Sequence, residues 1–267
     1  MRKTGKIALI VIIAIMLLSL GGPFVWPQDP EEINLDSVKA HPSWTHPLGT
    51  DNKGRDVVAR ILYGAKISVG VAVVAAVLSM GIGLVVGVIS GYAGGKVDIA
   101  IMAAVDLILS FPSLLLAIGV SVVLPPGVYT VMIALAAVGW ASFARLIRGT
   151  VLVLRESTYI DAARALGCSW KRILFVHLIP QCIPLALVVA GVRLGGYVLT
   201  EAALSFLGLG AQPPTATWGS MVSTGRMFIS SAPWMVIPPG LMIAVTALCF
   251  NIVGDELREW QDIDKDG

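Results

Sequence analysis

Five long stretches without a single charged side chain dominate this sequence: Ile7 to Gln28, Ile67 to Gly95, Leu107 to Ala144, Ile173 to Val192 (His177 counted as neutral) and Met227 to Gly254. A bilayer core of about 30 Å takes about 20 helical residues to cross. Each stretch is long enough to do so. The third holds 38 residues, 107 through 144, and as one helix it would run about 57 Å. Leu124-Pro125-Pro126-Gly127 interrupts it, and such a cluster stops a helix. That predicts six spans: 7–26, 67–91, 99–123, 128–147, 173–198 and 234–254. The stretches are apolar all round rather than alternating, which excludes a β-barrel.

Composition agrees. Charged residues are 13% of the 267 and hydrophobic types 56%. A soluble domain carries about 25% charged residues, so this chain cannot cover a globule of its size with solvated surface. A soluble enzyme, a disordered protein and a nucleic-acid binder are excluded. Arg2, Lys3 and Lys6 before an apolar run resemble a secretory signal. The run is as long as a span, however, and no small-x-small cleavage site stands out, so it reads as a retained anchor.

Orientation follows the Lys and Arg residues of the short loops. With the N-terminus inside, 12 fall inside (Arg2, Lys3, Lys6, Lys96, Arg145, Arg148, Arg155, Arg164, Lys171, Arg172, Arg258, Lys265). Six fall outside (Lys39, Lys53, Arg55, Arg60, Lys66, Arg226), and Arg193 lies within a span. Both termini are then expected in the cytoplasm, the second with an acidic tail over 255–267. Cys168, Cys182 and Cys249 form no C-x-x-C pair, and His41, His46 and His177 do not cluster, so neither a disulfide nor a metal site is expected.

Charge returns between spans four and five, over about 148–172. Thr158 and Asp161 have the spacing of a T-x-x-D capping box, and the acid sits at the positive end of the helix dipole. Ala162, Ala163, Ala165 and Leu166 favour helix, and Gly167 suits a left-handed cap. The expectation is a short surface helix with small side chains at its centre, flanked by Arg155, Arg164, Lys171 and Arg172. Such a helix either docks another protein or lies idle on the membrane.

Asp161-Ala162-Ala163, three residues, Gly167, nine residues, then His177-Leu178-Ile179-Pro180 resembles the EAA loop of ABC importer permeases. Asp161 stands for the usual Glu, and His177 for the usual Ile. Three more segments resemble the C-type membrane subunit of dipeptide, oligopeptide and nickel importers. They are His46-Pro47-Leu48-Gly49-Thr50-Asp51 with Gly54-Arg55-Asp56; Ser110-Phe111-Pro112 with Leu114 to Ile118; and Glu201 to Gly210 followed by Gln212-Pro213-Pro214 and Trp218-Gly219. The resemblance runs over about 46–258. It implies an all-α, six-helix type I importer transmembrane domain (MetI-like). Residues 1–66 would be anchor and outer loop, and 67–254 a five-helix permease core. It also implies partners: a second homologous permease subunit, two cytoplasmic ATPases that hold ATP and Mg, and an extracytoplasmic solute-binding protein, assembled in the bilayer of a bacterial or archaeal inner membrane. Thr158, Asp161, Ala162, Ala163, Arg164, Gly167 and Pro180 would form the ATPase-docking loop. The cargo would be peptides or related small solutes such as nickel chelates. This chain holds no G-x-x-x-x-G-K-[ST], since Gly94-Gly95-Lys96-Val97 lacks both spacing and hydroxyl, so no cofactor is expected in it.

Other residues stand out. Ser79, Gly83, Gly87 and Gly91 recur every four residues, a stripe that lets helices approach closely in lipid. Asp106 and Arg193 are the most embedded charges. Asp106 is expected to be structural near the inner interface. Arg193, expected near the outer end of span five, either faces the pathway, where it would meet a peptide carboxylate, or snorkels outward, and the two are not expected to pair. Glu201 to Gly210 is too short to span and reads as a re-entrant or interfacial segment. In it Glu201, Ser205 and Phe206 form a gate, a surface for the binding protein, or a plug. The mixed-charge loop 27–66 reads as solvated surface with a possible partner contact. The main alternative is an ion-coupled secondary transporter, which would want midplane ion ligands and an inverted repeat; neither is visible. A membrane-embedded enzyme would want a convergent His/Asp/Glu or Ser/His set within the spans, and that is missing too.

Overall fold

The computed structural model describes residues 2–263, so Asp264, Lys265 and Asp266 of the acidic tail lie outside the described residues. The elements are helical: α1 (Lys3–Val25), α2 (Val57–Ala93), α3 (Gly95–Ser110), α4 (Ser113–Val123), α5 (Val128–Leu154), α6 (Thr158–Ala165), α7 (Trp170–Phe206), α8 (Trp218–Gly225) and α9 (Ile237–Ile263). Among the described residues the only β pairing is a bridge between Thr50 and Asp56. Five helices are long and apolar enough to cross a membrane, and six crossings result if α3 and α4 together make one.

That third crossing differs from expectation. It is not one helix over 99–123 but two, bent by 96°. The break is at Phe111, extended at φ −94° and ψ 146°. The residue before a proline is pushed out of the helical region by the proline ring, and Pro112 follows. The break at Leu124 to Gly127 falls where expected, between α4 and α5.

α2 is the central helix, packed against α1, α5 and α7. It begins ten residues before the expected start, because the carboxylate of Asp56 accepts the amide of Ala59 at 2.7 Å and caps it. It ends at Gly94 and Gly95, at φ +64° and +51°, where the chain reverses into α3. α7 is also longer than expected. Glu201 to Phe206 continue it as helix, so this stretch is not re-entrant; the turn starts only at Leu207 and Gly208.

α1 shows what burial means in lipid. Ala8, Ile12 and Ile15 face the bundle, whereas Ile7, Ile10, Leu17 and Leu20 face outward and are equally apolar. Position follows the helical period, while composition carries no inside-outside signal. The free end of α1 adjoins the end of α9: the amide of Arg2 donates to Glu256 at 2.8 Å, and its guanidinium pairs with Glu259 at 2.9 Å. Both ends therefore lie on the face that carries residues 155–169, called the loop face below; the opposite one is the far face.

Candidate functional site

On the loop face, α6 is an eight-residue helix held down by two side chains. Ile160 is fully buried and Ala163 is 7% exposed; both pack with Val88, Ile147, Val151, Ile173 and Leu178. Ala163 therefore points into the bundle, in contrast to its expected place on the docking surface. Thr158, Tyr159, Asp161, Ala162, Arg164 and Leu166 point away from it. The Thr158–Asp161 capping box does not form. The cap position is Ser157, whose hydroxyl donates back to the carbonyl of Leu154, while Asp161 pairs with Arg164 at 3.1 Å. A carboxylate one turn into the helix finds the guanidinium three residues on, and geometry one residue out of register removes the box.

The end of α6 is as expected. Gly167 is left-handed at φ +79°. The amide of Cys168 donates to Ala163 at 3.0 Å and that of Gly167 to Arg164 at 2.9 Å, the paired bonds of a Schellman motif. The chain then re-enters the bundle through Trp170, followed by a wide π-type turn over Ile173–Leu178. Pro180 explains the widening. It has no amide, and its ring would crowd the carbonyl four residues back in a regular helix.

The basic residues around α6 are not equivalent. Arg155 donates to the carbonyl of Gly91 at 3.0 Å, and Arg148 pairs with Asp98 at 2.5 Å, where the hydroxyl of Ser90 also donates. These tie the loop-face ends of α2, α3 and α5 together. Arg164 sits over the ring of Tyr92 at 5.4 Å, and Lys171 over its neighbour Trp170 at 5.7 Å.

The small-residue stripe faces α5. The helices run in the same direction, and each stripe residue meets the one 60 positions on: Ser79 at Gly139, Gly83 at Phe143, Gly87 at Ile147 and Gly91 at Val151. A Cβ on Gly87 would lie 2.6 Å from the carbonyl oxygen of Ala144, so only hydrogen fits there. A second close crossing escaped the sequence reading: α7 meets α9 at Gly195 and Gly254, with the backbone of Ala247 and Val192 against them. Gly191 and Gly195 have the four-residue G-x-x-x-G spacing, and that was the available signal.

Between α3, α4, α5, α7 and α9 lies a cavity of about 340 Å³, lined by Arg193, Ser113, Ser142, Tyr197, Thr200 and Asn251 among apolar side chains. A cleft of about 700 Å³ adjoins it through Leu109, Ser142, Val192 and Arg193 and carries Arg145 and Arg258. Arg193 lies level with Phe143, its guanidinium 5.8 Å from that ring. Phe143 is the sixteenth of the 27 residues of α5 (128 through 143), so Arg193 stands at mid-depth, not at the outer end as expected. The correction follows from the true length of α7, which continues to Phe206. Asp106 does not pair with Arg193; it pairs with Arg145, on a partly exposed surface.

The proposed gate residues separate. Glu201 is 1% exposed and accepts the hydroxyl of Ser205 at 2.7 Å; Ser205 is 3% exposed. Both are packed inside the junction of α7 with α2 and α8, so neither lines an open pathway. Phe206 ends α7, with Arg226 5.0 Å above its ring. The junction is closed by Trp218, fully buried, whose indole donates to the carbonyl of Ile61 at 3.0 Å and whose amide donates to Ser68.

The loop before α2 departs most from expectation. Residues 31–48 are mostly exposed, as expected of a solvated surface, but the segment from Gly49 to Arg60 forms a compact polar knot. Asp51 is paired with Arg55 at 2.7 Å and with Arg60 at 3.5 Å, and all three are 6% exposed. Asp56 caps α2 and accepts from the indole of Trp26 at 3.0 Å and pairs with His46 at 2.9 Å. Gly54, at φ +74°, abuts the carbonyl of Asn34 so closely that no side chain fits. The density of charge and glycine in Gly49-Thr50-Asp51…Gly54-Arg55-Asp56 was the available signal. Among the described residues no three His, Cys, Asp or Glu side chains gather to hold a metal.

Comparison with known proteins fits this architecture. Residues 83–262 match the model of the family described as binding-protein-dependent transport system inner membrane component. The chain is 39% identical over 261 residues to the oligopeptide transport system permease protein OppC of Bacillus subtilis, covering 98% of this chain and 86% of that one. It is 40% identical, with the same coverage, to the dipeptide transport system permease protein DppC of Alkalihalophilus pseudofirmus. It is 38% identical to the glutathione transport system permease protein GsiD of Pectobacterium atrosepticum, over 94% of this chain and 84% of that one. A solved structure of the MetNI methionine ABC transporter, in an inward-facing conformation, shares the fold at a TM-score of 0.58 and 20% identity, covering 75% of this chain and 95% of that one. The ion-coupled alternative finds no support in these matches. The chain belongs to the binding-protein-dependent transport system inner membrane component family, as a multi-pass permease of the ABC importer type.

Proposed function

We propose that this chain forms one half of the pathway of an ATP-driven importer of peptides and peptide-like solutes, and that α6 is the element through which ATPase closure reaches the membrane helices. The loop face is then cytoplasmic, in keeping with the 12 basic residues assigned to it from the sequence. The far face, with its polar knot, meets the solute-binding protein. ATP and Mg belong to the two ATPase subunits, and a second permease subunit completes the pathway. The relatives named for oligopeptide, dipeptide and glutathione transport support the cargo class.

The single observation that carries the coupling role is the mounting of α6. Ile160 and Ala163 fix it to the loop-face ends of α2, α5 and α7, and its remaining side chains face away from the bundle. A push on α6 therefore acts directly on three membrane helices. Ala162 is the best place to test this, because it is exposed and its replacement disturbs no internal contact. Ala162→Trp adds bulk to the docking surface. The expected result is a chain that inserts normally, loses most ATPase subunits on co-purification from detergent, and loses uptake. Normal recovery of both ATPases together with normal uptake would overturn the coupling assignment.

A further inference from the structure

We infer that the cavity at Arg193 is a carboxylate-binding station of the pathway, which holds the C-terminal carboxylate of a peptide cargo while the polar groups around it accept the cargo's N–H groups. This deepens the peptide reading above and rests on it.

Arg193 is exposed where it opens onto the cavity, and a charge at mid-depth in a membrane protein is costly unless it faces a partner or a water-filled space. Arg193 lines the cavity, and among the described residues it takes part in no ion pair. Arg55, Arg60, Arg145 and Arg148 differ, because each has a carboxylate. The face of Phe143 supports one side of the guanidinium and leaves its donors available to the cavity. Five N–H donors in a planar fork match a carboxylate in bidentate fashion.

The hydroxyls nearby complete the match. Ser142 donates its proton to the carbonyl of Gly139 at 2.8 Å, and Thr200 donates to that of Gly196 at 2.8 Å. Both protons are spent within their own helices, so each hydroxyl presents lone pairs to the cavity. The site thus offers one cation and a set of acceptors, which is the complement of a peptide end: one carboxylate and amide N–H groups. Its remaining lining is mostly apolar, with Ser113, Tyr197 and Asn251 the other polar side chains, and it holds no second charge. A pathway that takes many peptides can grip only what they share, and the terminal carboxylate is shared by all.

The volume of about 340 Å³ falls in the range of small-ligand sites, about 300–1,000 Å³. The way onward holds a further arginine. Arg145 is already paired with Asp106, but Arg258 follows Asn251 by seven residues, about 10 Å further along α9. A carboxylate released from Arg193 therefore meets Arg258 as it moves toward the loop face.

The test uses the full complex with its binding protein in proteoliposomes and two probes, trialanine and trialanine amide, which differ in the terminal charge. Uptake of each is measured for wild type and Arg193→Gln. The same binding protein serves both, so its own preference cancels in the ratio of ratios. The expected result is that the wild-type preference for the free carboxylate shrinks roughly tenfold or more in Arg193→Gln, as for loss of a charge-assisted hydrogen-bonded pair. Should that variant not assemble, Arg193→Lys carries the test: it keeps a point charge but loses the fork, and the preference falls several-fold. An unchanged preference ratio overturns the inference while the peptide reading stands. Absence of uptake of either probe by the wild-type complex overturns the peptide reading, and this inference with it.

Discussion

The polar knot before α2 and the short helix α6 are both charged segments outside the apolar stretches, at opposite ends of the bundle, yet they use charge in opposite ways. In the knot, Asp51, Arg55, Arg60 and Asp56 are 4–6% exposed and satisfy one another, the cap of α2 and the indole of Trp26. In α6, Asp161 pairs with Arg164 on an open surface, and Arg164 also lies over the ring of Tyr92. Removing one buried charge strands its partner without water, whereas removing an exposed one lets water replace it. The knot is therefore part of what holds the fold, and α6 is free to be read by another protein.

The sharpest way to break this contrast is Asp51→Ala. It leaves Arg55 and Arg60 buried without their carboxylate, and a loss of about 3–5 kcal/mol is expected, as for one partner removed from a buried pair. Thermal unfolding of the detergent-solubilised chain measures it, and a loss under about 1 kcal/mol would mean that water reaches the knot. Next comes Gly87→Leu, which drives a side chain into the carbonyl of Ala144 and the side chain of Ile147. Separation of α2 from α5 should cost about 1–3 kcal/mol or more, read by the same melt.

Gly167→Val is smaller and purely conformational. A Cβ there meets open space, but the backbone is left-handed, so the expected cost is about 1–2 kcal/mol, confined to the end of α6. Protection of the Cys168 amide against hydrogen exchange should fall while the bundle's protection is kept. Wild-type protection would argue against the Schellman cap as the stop. Asp161→Lys completes the series. Its effect on stability should stay within about 0.5 kcal/mol, as for surface substitutions, while uptake by the assembled transporter falls. A melting shift as large as that of Asp51→Ala would erase the distinction between the two regions.

Much of the membrane plan was legible because lipid leaves a simple mark. Long uncharged stretches, with the stop at Leu124 to Gly127, locate the crossings, and the four-residue spacing of Ser79, Gly83, Gly87 and Gly91 points to a close helix contact. The same reasoning placed Arg193 too far out, because it ended α7 at residue 198 and took Glu201 as the start of a separate segment. Glu201 stays helical because Ser205 satisfies one of its oxygens from within the same helix, a local bond with no signature in hydropathy. The capping box failed for a related reason: T-x-x-D spacing is compatible with a box, but Arg164 offered Asp161 a partner three residues on.

Sequence alone determined that the chain lives in a bilayer, how many times it crosses, where the short helix with its left-handed stop falls, and which family its motifs resemble. All of these depend on local chemistry: the cost of charge in hydrocarbon, the reach of a helix, the freedom of glycine. Tertiary structure decided which charges are spent and which are free. It buried Asp51 and Glu201, turned Ala163 inward, bent α3 from α4 and set Arg193 on a cavity at mid-depth. Those outcomes depend on what stands across from each residue in space, and in an apolar sequence the inward and outward faces of a helix are written with the same amino acids.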